Sequence, residues 1–176
     1  YEAQIAKYVS AVASLPMPTV AVVEGWAVGG GMAIASVCDF RLATPGTRFG
    51  VPIARTLGNC LSAGNLSVLL ATLGVPLVKR MLLLAELVPA EELTGGGYVH
   101  EIIDASDLDT RAAEFCQQLA GHAPVTMAVT KASLARLVES HAVSDADLIE
   151  RAYGSEDFHE GVSAFVSKRP PQWTGR

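Results

Sequence analysis

The sequence is poor in aromatic residues and cysteine, and its net charge is negative. Aromatic side chains make up 6 % of the 176 residues while 50 % are hydrophobic, so a core must be built from Ala, Val, Leu and Ile. The three cysteines, Cys38, Cys60 and Cys116, are widely spaced and odd in number, which argues against a disulfide framework and a zinc cluster. The net charge of −5 argues against partners bound through nucleic-acid phosphates or an anionic membrane.

Targeting and membrane signals are also weak. The first four residues, Tyr1-Glu2-Ala3-Gln4, are neither basic nor apolar enough for a signal peptide. No uncharged apolar run approaches the roughly eighteen residues of a membrane span. These features predict a cytoplasmic protein with one compact domain. Because the chain begins without methionine, partway through a helical pattern, we expect further sequence upstream of it.

Carboxylates are absent from a long central stretch. From Phe40 to Ala85 the sequence contains neither Asp nor Glu, and between Glu24 and Glu86 the one carboxylate is Asp39. Acid–base chemistry by carboxylates is therefore unsupported in this stretch. Asp39 itself is expected to hold the backbone at the junction between a helix and the next strand.

The spacing of apolar residues and turn residues predicts helices alternating with strands, and then helices alone. Strands are predicted at 19–23, 40–43, 48–50 and 98–103. Helices are predicted at 1–15, 30–38, 59–73, 76–87, a short one opening at Pro89, and 107–120, 124–138, 144–153 and 156–166. Strands first and helices last indicate a layered α/β core with a helical C-terminal extension.

The most informative motif is the run of Gly29, Gly30 and Gly31. A β-branched apolar run precedes it, and a helix of small residues follows it up to Cys38. Adjacent glycines let the backbone approach a ligand closely, and the N–H groups of a helix start attract negative charge. An oxyanion hole requires this arrangement.

Other interpretations of the glycines have less support. A dinucleotide-binding fingerprint needs a third glycine where Ile34 stands. A close-packed helix start without a ligand is the structural alternative. The second glycine triplet, residues 95–97, is interpreted as a loose helix C-cap.

The glycine segment, the tetrapeptide Phe49-Gly50-Val51-Pro52 and the C-terminal stretch from Glu160 to Trp173 together resemble the crotonase (enoyl-CoA hydratase/isomerase) superfamily. The resemblance extends from roughly residue 16 to residue 173. It implies an α/β fold with a ββα spiral core and a helical C-terminal trimerisation region. Residues 1–106 would be the C-terminal part of the core, without its N-terminal part, and residues 107–176 the trimerisation region and tail.

The resemblance also implies a ligand and an assembly. The ligand is an acyl-CoA thioester whose oxygen accepts from the N–H of Gly30, and the substrate lies beside Val28, Gly29 and Gly31. Coenzyme A is part of this substrate, so no separate cofactor and no metal are expected. Relatives form trimers, often paired into hexamers.

The C-terminal tail contributes to that ligand site in relatives. Phe165 and Lys168 match the aromatic and lysine that lie near the CoA of the same or an adjacent subunit. The structural alternative is an amphipathic helix whose lysine extends along the surface.

The resemblance raises one difficulty, because family hydratases use two glutamates for proton transfer. The first matches Ala33 here, and the second matches Ile53, or Ala54 if the loop carries a one-residue insertion. None of these side chains can move a proton, so ordinary hydratase chemistry is not predicted.

Polar side chains after position 53 are the candidates to replace the glutamates. Arg55, Asn59 and Asn65 could polarise or position a substrate, or hold the loop. Cys60 and Ser62 could be nucleophiles, but no histidine is near them in sequence. Cys60 in a helix of small residues also fits a buried apolar position.

Two functions remain open. One is an enzyme acting on an acyl-CoA thioester through enolate stabilisation, with Gly30 as backbone donor. The other is a non-catalytic acyl-CoA binder or assembly subunit. Elsewhere, His141 and Asp145 are spaced as a solvated pair, with Ser144 the expected N-cap of the next helix.

Overall fold

The computed structural model describes residues 2–139 and 143–176. The strands are β1 Val20–Val23, β2 Trp26–Val28, β3 Phe40–Ala43, β4 Arg48–Gly50, β5 Val88–Pro89 and β6 Glu101–Ile102. The helices are α1 Glu2–Ala13, α2 Gly30–Val37, α3 Ile53–Thr56, α4 Ala63–Leu83, α5 Ala90–Thr94, α6 Leu108–Ala120, α7 Pro124–Glu139, α8 Ala146–Tyr153 and α9 Glu156–Val166. Helix α1 precedes two ββα units, and α4, two short strands with a helix between them, and four C-terminal helices follow.

The strands form two small sheets between which the chain passes back and forth. In the first sheet β3 lies between β1 and β6, and both pairings are parallel. In the second sheet β4 lies between β2, to which it is parallel, and β5, to which it is antiparallel. Gly25 and Gly46, with φ of 75° and 74°, turn the chain from the first sheet into the second. The spiral expected from the sequence is therefore present.

Several predicted elements agree closely with the structure. Strands β3 and β4 and helix α9 have the predicted bounds, and α2 ends one residue earlier than predicted, with Cys38 as its C-cap. The strand predicted at 98–103 is only the two residues of β6. The short elements β2, α3 and β5 were not predicted, because two to four residues carry no readable periodicity.

The helix predicted from residue 59 begins later, at Ala63. Ser62 is its N-cap, and its hydroxyl accepts from the N–H of Asn65 at 3.4 Å. The break predicted at Gly74 is a kink within α4, where Gly74 has φ 72° and ψ 161°. The two helices predicted on either side of Gly74 therefore form one kinked element.

The predicted N-cap of α8 is wrong by one residue. Asp145, not Ser144, is the N-cap. The carboxylate of Asp145 accepts from the N–H of Ala63, so it satisfies an orphan donor at the start of α4. His141, the residue predicted to pair with Asp145, lies outside the described residues.

The core lies between the second sheet, α2 and α4. Its largest fully buried side chains include Tyr98, Phe49 and Met32, and the rings of Phe49 and Tyr98 meet edge to face at 5.5 Å. Arg41 is buried with them, and burial lowers the pKa of its guanidinium. Its N–H groups donate to the carbonyls of Ala35 at 2.9 Å and of Cys38, which closes the C-terminus of α2.

Among the described residues, α4 is the one helix long and apolar enough to cross a membrane by length and composition. Its residues Ala63, Leu69, Leu73, Val78 and Met81 are buried against the rest of the chain, and Gly74 kinks it.

Candidate functional site

The glycine turn lies between the end of β2 and the start of α2. Gly29, with φ 57° and ψ −117°, is the N-cap, and its N–H donates to the carbonyl of Gly50 at 3.1 Å. The first helical bond runs from the N–H of Ala33 to the carbonyl of Gly29 at 3.0 Å. The N–H groups of Gly30 and Gly31 therefore precede the helical bonds and have no acceptor among the described residues.

Gly30 is covered on one side by α1. A Cβ added at Gly30 would lie 3.2 Å from Cδ1 of Ile5, whereas one added at Gly31 would meet nothing within 4 Å. Val28, the last residue of β2, is half-buried. The sequence alone gave no signal for the contact with Ile5.

Ala33 lines a small cavity between α2 and α4. The cavity has a volume of about 20 Å³ and reaches the glycine turn at Gly29. The other lining residues are Met32, Ser36, Val37, Val51, Leu61, Asn65, Val68 and Leu69. Positions 32, 33, 36 and 37 share one face of α2, and 65, 68 and 69 share one face of α4, so helical spacing could have found each half of this wall but not that the two halves meet.

The polar groups of this cavity are few and neutral. Ser36 Oγ donates to the carbonyl of Met32 at 2.8 Å and lies 2.9 Å from the hydroxyl of Tyr98, so its hydrogen-bonding capacity is largely occupied. Burial raises the pKa of Tyr98. The side-chain amide of Asn65 has no hydrogen-bond partner among the described residues. None of the lining residues is titratable near neutral pH.

Ile53 is the first residue of α3 and packs against the core cluster. Its neighbours Ala54 and Arg55 are exposed, and the guanidinium of Arg55 has no partner among the described residues. The structure thus gives positions 33 and 53 apolar surroundings. The match of Ile53 to a family glutamate and the role of Arg55 in positioning a substrate remain predictions.

Asn59 and Cys60 lie in the irregular segment between α3 and α4. Nδ2 of Asn59 lies 3.2 Å from the hydroxyl of Tyr153 in α8, while its Oδ1 is buried without a partner among the described residues. Cys60 is half-buried, and neither residue lines the cavity. Asn65, from the same set of candidates, is the one that the structure places beside Ala33.

The C-terminal helix and tail pack onto this segment. A Cβ at Gly161 in α9 would overlap the carbonyl of Leu57, and one at Gly58 would lie 3.1 Å from the ring of Trp173. Phe165 is 65 % exposed, and Lys168 follows the helix end with φ 52°. Neither lines the cavity, so their contact with CoA remains a prediction.

Two carboxylates of α9 hold the tail in place. Glu160 accepts from the guanidinium of Arg169 at 2.6 and 2.8 Å and from the N–H of Gln172 at 2.8 Å. The Arg169 guanidinium, followed by that N–H, lowers the pKa of Glu160 to about 2. Asp157 accepts from the N–H groups of Thr174 and Gly175, chiefly that of Thr174, which lowers its pKa.

The prediction for Asp39 is confirmed. Its carboxylate accepts from the N–H of Thr19 at 2.7 Å and from the hydroxyl of Thr19 at 2.9 Å, at the junction between α2 and β3. Beside it, burial raises the pKa of the Cys38 thiol, which therefore stays protonated. Within residues 2–139 and 143–176, no three His, Cys, Asp or Glu side chains are grouped so as to hold a metal ion.

Solved structures share this spiral. An enoyl-CoA hydratase from Mycobacterium avium subsp. paratuberculosis K-10 matches with a TM-score of 0.80 and 30 % identity, over 97 % of this chain and 70 % of that one. A methylmalonyl-CoA decarboxylase complex matches with a TM-score of 0.91 over 98 % of this chain and 68 % of that one. Its identity is 23 %, so this likeness shows the fold alone.

Sequence comparison agrees. The model of the enoyl-CoA hydratase/isomerase family matches residues 1–176. The 2,3-dehydroadipyl-CoA hydratase of Escherichia coli K12 is 30 % identical over 163 residues, which are 90 % of this chain and 64 % of that protein. The chain spans between 54 and 65 % of the length of the curated relatives considered.

The fold and the glycine turn thus define a protein of the crotonase superfamily. The chain belongs to the enoyl-CoA hydratase/isomerase family.

Proposed function

We propose that this chain forms part of an acyl-CoA-processing enzyme that stabilises a thioester enolate at the N–H of Gly30. The observation that carries the proposal is the start of α2, where the N–H of Gly30 has no acceptor among the described residues while Gly29 is fixed to Gly50. A donor held in place before the reaction stabilises developing negative charge at little reorganisation cost. The names of the relatives, which include several enoyl-CoA hydratases, support the class of substrate.

The proposal also covers the residues that bind CoA, the compartment in which the protein works and its oligomeric state. Phe165 and Lys168 bind the CoA of this or an adjacent subunit, and the protein works in the cytoplasm without a separate cofactor. The chains assemble as a trimer or hexamer. Exposed apolar side chains on α7 support assembly, since Val125 is 74 % and Val129 59 % exposed in the single chain.

The cavity favours a second candidate function, a non-catalytic acyl-CoA binder. None of the described residues that line the cavity is able to transfer a proton at neutral pH, and Ala33 and Ile53 are the positions predicted to match the glutamates of relatives. A binder would hold the thioester at the glycine turn without polarising it. The two candidates therefore differ in whether a bound thioester becomes an enolate.

The experiment uses acetoacetyl-CoA, a 3-oxo thioester whose enolate absorbs in the near ultraviolet. We expect the full-length protein to bind it and to increase the enolate band at neutral pH. Gly30→Pro removes the N–H at a first-turn position that tolerates proline. Gly30→Ala keeps the N–H but makes the same contact with Ile5.

The comparison of the two variants isolates the N–H. We expect Gly30→Pro to lose the band and to reduce turnover of any thioester substrate by about 10²–10³-fold relative to Gly30→Ala. Circular dichroism checks that both variants fold. Equal behaviour of the two folded variants would sink the Gly30 assignment, and binding without any enolate band would favour the non-catalytic binder.

A further inference from the structure

Helix α1 packs along α2 and covers the first turn of α2 on one side. Ile5, Val9 and Val12 are separated by four and three positions, so they share one face of α1. Val9 is 7 % exposed and belongs to the core, and Val12 lines a groove together with residues of α2. Ile5 faces the beginning of α2, where its Cδ1 lies 3.2 Å from the place that a Cβ on Gly30 would take.

The two N–H groups at the start of α2 differ in their access to water. Those of Gly30 and Gly31 both lack an acceptor among the described residues. Gly31 is exposed, and a Cβ added to it would meet nothing within 4 Å. Gly30 is half-buried, and Ile5 lies beside it. Water therefore reaches the amide of Gly31 more freely than the amide of Gly30.

The short distance between Ile5 and Gly30 leaves no room for water on the side of α1. A Cβ lies about 2.5 Å from the nitrogen of its own residue, so Cδ1 of Ile5 lies within about 6 Å of the nitrogen of Gly30. A water molecule bound to that nitrogen at about 2.9 Å and touching a methyl group at about 3.5 Å would need more than this distance. Water therefore cannot lie directly between the two atoms.

We propose, on the basis of the thioester function proposed above, that Ile5 is a positioning residue that excludes water from the N–H of Gly30. A hydrogen bond to developing negative charge is stronger where water is excluded, because solvent screens it less. A donor without bound water also needs no solvent to be displaced when the thioester oxygen arrives. Gly31, which stays hydrated, is the weaker donor of the two.

The alternative is that Ile5 merely holds α1 against α2. Val9 has that role as well, and it is buried in the core. Only Ile5 lies within 4 Å of the place that a Cβ on Gly30 would take, so Val9 contributes packing of α1 without a contact at the donor. Variants of the two residues therefore separate the exclusion of water from the packing of the helix.

The first test measures access of water to the two amides without any ligand. Hydrogen–deuterium exchange, resolved to single amides by fragmentation mass spectrometry, compares Gly30 with Gly31 in the full-length protein. We expect the amide of Gly30 to exchange at least about tenfold more slowly than that of Gly31. Ile5→Val deletes only the Cδ1 methyl and should remove most of this difference. Ile5→Leu keeps the number of carbon atoms and should preserve it.

The second test uses the enolate band of acetoacetyl-CoA at saturating ligand and one fixed neutral pH. We expect Ile5→Val to lower the ratio of enolate to keto form about three- to tenfold, because water then competes for one hydrogen bond. Val9→Ala is the matched control, since it weakens the packing of α1 without a contact to Gly30. Its enolate ratio, and that of Ile5→Leu, should stay within about twofold of the wild-type value. Circular dichroism checks that the variants fold.

Three results would overturn the inference. The first is equal exchange of Gly30 and Gly31 in the wild-type protein, and the second is an Ile5→Val variant that leaves both measurements unchanged. The third is an enolate ratio that falls as far in Val9→Ala as in Ile5→Val, because Ile5 would then act through packing alone. If the wild-type protein shows no enolate band at all, the proposed function fails, and the exchange of the two amides still decides whether Ile5 excludes water.

Discussion

The ammonium group of Lys131 in α7 lies 2.7 Å from Oδ2 of Asp39, which follows α2. Lys131 also donates to the carbonyl of Met17 at 3.1 Å and to the hydroxyl of Thr19 at 3.3 Å. The side chains of Lys131 and Asp39 are 13 % and 27 % exposed, so water screens the pair only in part. The ion pair therefore joins α7 to the junction between α2 and β3, and the hydrogen bonds of the same ammonium group join α7 to the residues before β1.

Lys131→Met should lower the free energy of unfolding by about 1–3 kcal/mol, because it leaves a half-buried carboxylate without its cation. Urea denaturation measures the change. Lys79→Met is the control, since Lys79 is exposed on α4 and its replacement should stay within about 0.5 kcal/mol. A loss for Lys131→Met as small as that of the control would contradict the assigned role of the pair.

The wild-type protein should hydrate crotonyl-CoA poorly, because each missing acid or base removes about 10²–10⁴-fold. The double variant Ala33→Glu with Ile53→Glu should gain hydratase activity if these positions match the family glutamates. The double variant Ala33→Gln with Ile53→Gln has nearly the same shape and should gain none. Crotonyl-CoA hydration, read as loss of enoyl absorbance, compares the three proteins.

Ala33→Glu should also destabilise the fold. Its carboxyl would lie in an apolar cavity, so desolvation should raise its pKa and reduce the free energy of unfolding by about 1–3 kcal/mol. If the wild-type protein instead hydrates crotonyl-CoA at ordinary enzymatic rates with a bell-shaped pH profile, the match of residues 33 and 53 to the glutamates is wrong. Glu24 or residues outside this chain would then supply the proton transfer.

The C-terminal tail should detach in acid. The pKa of Glu160 is lowered from 4.5 to about 2, chiefly by Arg169, and that of Asp157 is lowered chiefly by the N–H of Thr174. A lowered pKa in the folded state stabilises docking above the ordinary pKa, and this stabilisation is lost as pH falls through the folded value. Detachment is therefore expected between about pH 4.5 and 2.

Trp173 reports the detachment, because it contacts Gly58 in the docked tail. Its fluorescence is measured in a Trp26→Phe background, where the removed side chain is 67 % exposed. Glu160→Gln should loosen the tail already at neutral pH. Any further change of fluorescence in acid should then come from protonation of Asp157 alone. Trp173 emission that changes only together with far-ultraviolet circular dichroism would refute a separate tail transition.

The full-length protein should be a trimer or hexamer at micromolar concentration. Exposed apolar side chains on α7 and α9, among them Val129, Leu134, Phe165 and Val166, would otherwise face water. Light scattering determines the mass in solution, and replacing Val125 and Val129 together by Asp should reduce it. A monodisperse monomer would contradict the assembly.

The secondary structure was readable where one residue dictates the backbone locally. Gly74 was predicted to break a helix, and its positive φ kinks α4 because glycine carries no Cβ. Asp39 was predicted to hold a junction, and it accepts two hydrogen bonds from Thr19. The start of α4 was predicted at residue 59, but the helix begins at Ala63. Ser62 could be identified as its N-cap only in the structure, where residues 59–61 are irregular.

The sequence by itself determined the alternation of strands and helices, the three adjacent glycines and the lack of carboxylates from residue 40 to residue 85. These are local properties of neighbouring residues. Only the tertiary structure placed Ala33 and Asn65 on the same cavity and Lys131 against Asp39. Such contacts join residues 32 and 92 positions apart, and the packing of whole helices decides them, because no local backbone preference specifies which faces will meet.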